Sequence, residues 1–143
     1  MLLRVKGYAT KLNDNDYKLE LNIPALYLDN ANYNISLRML MMSLALLESE
    51  TNQSQFWSLS TSAVDKTAIN PKQEIASFCT TPVTSGSYYG DFVYYEPPIK
   101  REYKIQVTSI QTSEFILTSL RPDAELEIDH IEILFEFSRY ARI

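Results

Sequence analysis

The chain has 143 residues and a mass of 16.5 kDa, with 45% apolar and 22% charged residues and a mean hydropathy of -0.18. These values describe one globular domain over 1–143 and exclude both disorder and a helical membrane span. A net charge of -5 gives no general attraction to phosphate backbones or anionic lipid, and one Cys and one His exclude an intramolecular disulfide and a multi-histidine metal site.

The first apolar alternation runs from Leu2 to Ala9, with Leu3 and Val5 on one face and Arg4 and Lys6 on the other, which predicts a strand. Asn13-Asp14-Asn15-Asp16 is turn chemistry, and Tyr17 to Ile23 follows with every odd position apolar, a half-buried strand that pairs antiparallel with the first. Pro24 lacks an amide donor and ends that ladder, and Tyr33 to Met39 resumes the alternation as a third strand. Leu37 to Leu47 carries Arg38 as its only charge and reads as strand, helix or one passing into the other, buried in the core or in a subunit interface. Phe56 to Thr61 suits a strand whose apolar side holds Trp57 and Leu59.

Between Ser62 and Arg101 lie four of the six prolines and two of the three glycines, so long surface loops are expected there, with short strands near Ile75 to Cys79 and Tyr88 to Tyr95. Strand patterns return at Tyr103 to Thr108, Phe115 to Thr118 and from Leu126 onward. In the last run Leu126 and Ile128 are even while Ile131, Ile133, Phe135 and Phe137 are odd, so a β-bulge or a turn at Asp129-His130 must flip the register. Eight or nine short strands with at most one short helix predict an all-β fold, an antiparallel β-sandwich of jelly-roll or Greek-key type. An immunoglobulin-like sandwich without its paired cysteines is the structural alternative.

Catalytic chemistry is thinly provided. His130 beside Asp129 is expected at a bulge or turn, because neighbouring strand side chains point to opposite faces and no nucleophile motif accompanies them. Cys79 has no cationic neighbours and is expected as a buried structural thiol. The Asp14 to Glu20 run begins like a calcium loop but lacks the sharp-turn Gly, and Glu20, Glu127, Glu132 and Glu136 read as a solvated or interfacial acidic face. No enzyme, cofactor or metal is expected.

The densest feature is Tyr88-Tyr89-Gly90-Asp91-Phe92-Val93-Tyr94-Tyr95-Glu96-Pro97-Pro98. Tyrosine supplies rigid contact area with a polar tip, so Tyr88, Tyr89, Phe92, Tyr94 and Tyr95, with Trp57 as a further anchor, are the candidate interaction residues. They would pack against another subunit, stack on sugar rings, or fill the core.

The run from Tyr17 to Leu28 followed by Tyr33 to Leu37, with the closing segments Ser119 to Pro122 and Ile131 to Phe137, resembles small jelly-roll capsid proteins of eukaryotic DNA viruses and Polinton-like elements. The resemblance implies a non-enzymatic shell or appendage subunit that self-associates as a trimer or pentamer, alone or with other shell proteins. The alternative reading is a carbohydrate- or ligand-binding β-sandwich module. Met1 to Lys6 lacks the pattern of a secretory leader, so a virion or intracellular location is expected.

Overall fold

The structure, a computed structural model, describes residues 1–25, 33–45, 55–80, 90–120 and 127–139. Apolar alternation becomes strands β1 (Leu2–Lys11), β2 (Asp16–Leu21), β3 (Tyr33–Ala45), β4 (Gln55–Thr61), β5 (Glu74–Thr80), β6 (Gly90–Tyr95), β7 (Tyr103–Lys104), β8 (Phe115–Ser119) and β9 (Glu127–Arg139), with a single 3-10 turn at Ile110–Thr112 among the described residues. Every strand pairing is antiparallel, and the hydrogen-bonded order is β5-β4-β8-β2-β1-β9-β3-β6, with β7 also on β3. The expected all-β antiparallel sandwich, compatible with a jelly roll, is the fold observed.

Asn13 builds the first turn: its Oδ1 accepts from the amides of Asn15 and Asp16, each at 2.9 Å, and the register Lys11↔Tyr17 through Gly7↔Leu21 follows. Gly7 is required within that pair, because a Cβ there would stand 1.9 Å from the carbonyl oxygen of Glu20.

Two bulges aim the core residues of the long strands. Between Ser43↔His130 and Leu44↔Ile128, β9 carries Asp129 as an extra residue, so Ile128 and Ile131 both reach the core. Between Leu37↔Phe135 and Met39↔Leu134, β3 carries Arg38 as its extra residue, and the core positions pass from Ile35 and Leu37 to Leu40, Met42 and Leu44. The ambiguous Leu37 to Leu47 segment is therefore strand through Ala45, and Leu46 and Leu47 lie outside the described residues. The expected strand Tyr103 to Thr108 is shorter than its pattern. Beyond Lys104 the chain turns, Ile105 donating its amide to the carbonyl of Tyr33 and bridging Val64, and Val107 packs at the core's margin.

The sheet rolls upon itself around a core of Trp57, Tyr17, Phe115, Phe135 and the strand aliphatics. Phe115 on β8 meets Phe135 on β9 across the core at 5.5 Å between ring centroids, although two strands separate them along the path. The path's two ends also meet: Phe78 of β5 stacks on Tyr95 of β6, centroids 4.8 Å apart and planes within 18°. Farther along the same side, the Val64–Ile105 bridge and the bonds from Asp65 N to Lys104 O (3.1 Å) and Gln106 N to Ala63 O (2.9 Å) close the roll again.

Candidate functional site

Two features follow from this geometry, an open sheet face and a groove where the sheet's ends meet. The open face is the outer side of β1, β9, β3 and β6. Because side chains alternate across a strand, the register Lys6↔Glu132, Glu132↔Met41 and Met41↔Tyr94 lines these four residues into one row across four strands. Tyr94 is 60% exposed there, and Leu2 and Tyr8 stand on the same face at 61% and 57%.

Charged groups border these apolar side chains. Glu132 is only 7% exposed, held between Arg4 and Lys6, each 3.7 Å away. It lies on the outer face as expected of the acidic positions, but it is covered rather than solvated. A second cluster joins Arg38, Lys100, Glu102 and Glu136: Arg38 binds Glu136, and Lys100 Nζ bridges Glu136 (3.3 Å) and Glu102 (3.2 Å). The Arg38 and Lys100 bonds hold the Glu136 carboxyl below its ordinary 4.5, and the Ser138 hydroxyl, followed by Lys100, does the same for Glu102. Lys100 is correspondingly raised above 10.5, chiefly by its bond to Glu102.

The groove, of about 280 Å³, lies between β5 and the segment from Tyr95 to Tyr103. One wall is β5 from Glu74 to Ser77; the other is Pro97, Pro98, Ile99 and Arg101; Leu37 lies between Tyr95 and Tyr103 along the floor. β6 and β7 are collinear along one edge of β3, and the interruption between them carries the diproline opposite the Arg38 bulge. Proline has no amide donor, so this wall cannot continue a ladder toward β5, and the seam stays open.

The candidate interaction residues separate. Tyr94 points outward; Tyr95 points inward, half-buried and stacked on Phe78. Phe92 pairs with Ser43 in β6, and Tyr88 and Tyr89 lie outside the described residues. Trp57 corrects the expectation of a contact anchor: it is 0% exposed and packs 5.8 Å from Tyr17, since β4 turns its odd positions into the core. Cys79 is a second correction, exposed rather than buried, because a bulge at Ile75 makes Ile75 and Phe78 the buried positions of β5 and leaves Cys79 outside, opposite Phe56. His130 is exposed beside the bulged Asp129. Among the described residues no three His, Cys, Asp or Glu side chains could hold a metal ion, and no helix is long and apolar enough to cross a membrane. Sequence reasoning passed over Arg101, Tyr103 and Glu74, whose meeting depends on closure of the roll; the diproline was the local signal.

No protein-family model and no curated protein sequence matches this chain. Among solved structures, it is similar to a carbohydrate-binding module from a family 9 glycoside hydrolase of Ruminococcus flavefaciens, at 14% identity and a TM-score of 0.46, covering 92% of this chain and 98% of that one. It is also similar to a chain of Desmodium yellow mottle tymovirus, at 8% identity and a TM-score of 0.33, covering 100% of this chain and 89% of that one. Both likenesses are too loose to carry a function to this chain.

Proposed function

We propose that this protein is a non-enzymatic structural subunit that self-associates into a closed homo-oligomer, in a viral or virus-derived particle of the kind the jelly-roll resemblance implies. The supporting observation is the outer face of β1, β9, β3 and β6, where Tyr94 stands 60% exposed beside Met41. Exposed aromatic and methionine side chains are enriched in subunit contacts. Charges of both signs on the same face suit a surface that meets a copy of itself. Light scattering after gel filtration, across a concentration series, tests this. A stable trimer, pentamer or larger particle that Tyr94→Ala shifts toward monomer is the expected result, and a concentration-independent monomer of the unaltered chain refutes it.

The groove supports a second reading, a ligand-binding module with carbohydrate as one candidate ligand. It is concave, lined by Tyr95, Tyr103 and aliphatic side chains, and carries a few polar groups. A glycan array and titrations with soluble saccharides test the carbohydrate form of this reading.

A further inference from the structure

We propose that the groove between β5 and the Tyr95 to Tyr103 segment docks a short extended peptide, which pairs its main chain with the outer edge of β5 and presents a carboxylate to Arg101. This rests on the ligand-binding reading of the groove and gives its ligand a chemical class.

Among the described residues β5 forms a ladder only with β4, and the Asn70 side-chain amide takes both main-chain groups of Glu74, accepting from its N–H at 2.9 Å and donating to its carbonyl at 3.0 Å, so the edge left to the groove is that of Ile75 to Ser77. Beyond Glu74, the strand groups of that edge are matched by another extended chain, which takes the hydrogen bonds while the walls take its side chains. The opposite wall cannot take those bonds itself, since Pro97 and Pro98 supply no amides there.

Length and charge narrow the occupant. Tyr95 pairs with Leu40 and Tyr103 with Ile35, and because the Arg38 bulge lies between them the stretch matches four residues of β9, so the two positions are about 13 Å apart, the length of about four extended residues. Arg101 is exposed and makes no ion pair among the described residues, whereas its neighbour Lys100 is committed to Glu102 and Glu136. The lining also contains Glu74, at the start of β5, so the groove holds one charge of each sign and favours a peptide with its carboxylate at Arg101 and amide donors toward Glu74. Sugar stacking is less well served, because Tyr95 already gives one ring face to Phe78.

The test is selection of binders from a random heptapeptide library displayed with free C-termini, followed by titration of selected synthetic peptides into the full-length, ¹⁵N-labelled protein. The expected result is amide shifts concentrated at residues 74–77 and 101–103. Binding should weaken roughly tenfold or more in Arg101→Gln and with the C-terminally amidated peptide, the loss of a hydrogen bond between charged groups. N-methylation of alternate peptide amides should abolish binding at one set of positions and spare the other, a readout that leaves the protein's fold untouched. A library without an Arg101-dependent binder, or a binder indifferent to N-methylation at every position, overturns the proposal. If soluble saccharides shift the groove amides and the peptides do not, the peptide proposal fails while the ligand-binding reading stands.

Discussion

Tyr94 and Tyr95 are adjacent in sequence and identical in chemistry, yet the fold gives them opposite surroundings, so truncating each to Ala separates packing from presentation. Tyr95 is half-buried against Phe78. A tyrosine covers about 150–250 Å², and the buried part that truncation to Ala removes is about 100 Å², worth about 2.5 kcal/mol at about 25 cal/mol per Å². The ring pair adds about 0.5–1.5 kcal/mol, which places the cost of Tyr95→Ala at about 3–4 kcal/mol. For a chain of this size about 1 kcal/mol corresponds to about 3 °C, so Tm should fall by about 10 °C. Tyr94 is 60% exposed on the other face, and Tyr94→Ala should cost less than about 1 kcal/mol. Melting followed by circular dichroism at fixed, low protein concentration makes the comparison. Equal losses for the two variants, or a larger loss for Tyr94→Ala, would refute the assignment of Tyr95 to the seam and Tyr94 to the open face.

Two further predictions rest on different parts of the structure. Gly7→Ala should destabilise by about 1–3 kcal/mol or more, as overpacking does, because the new Cβ meets backbone that has no free rotor to give way; an unchanged urea midpoint would show that β1 and β2 do not approach as described. Glu136 and Glu102 titrate below their ordinary 4.5 in the folded chain, so the stability they contribute is fully present above that value and is lost as pH falls through the lowered ones. Urea midpoints should therefore decline on acidification below about pH 4.5, with a shallower decline in Lys100→Ala; identical pH profiles would remove Lys100 from the cluster.

Much of the sheet was legible because one face of each strand is apolar. The parity change between Ile128 and Ile131 required a bulge or a turn at Asp129-His130, and the structure has a bulge at Asp129. The Arg38 bulge was hidden because nearly every residue from Leu37 to Leu47 is apolar, so no polar partner reports which side faces inward. The bulge also brings Leu37, Leu40 and Leu44 into the core at spacings of three and four, the spacing of a helix face, which is why helix and strand competed there. Cys79 was misplaced for a similar reason: the Ile75 bulge breaks the alternation of β5, and its residues are too uniformly small or apolar to show it. Apart from the diproline the groove had no local signature, since Glu74 and Tyr103 come together only when the two ends of the path meet.

That meeting also separates two ways in which this molecule would contact others. The terminal strands of the path, β5 and β6, are turned toward each other and tied by the Phe78–Tyr95 stack, so their edges are not presented outward as templates for a neighbouring sheet. Pro97, Pro98 and Ile99 stand across the seam where such a sheet would approach. A single extended segment can lie between the walls; the edge strand of a folded copy would have to displace them. The proposed self-association therefore uses the face that carries Tyr94, and the proposed peptide capture the seam that carries Arg101. The two assignments call for different surfaces, so Tyr94→Ala should change oligomer mass without changing peptide affinity, and Arg101→Gln should do the reverse.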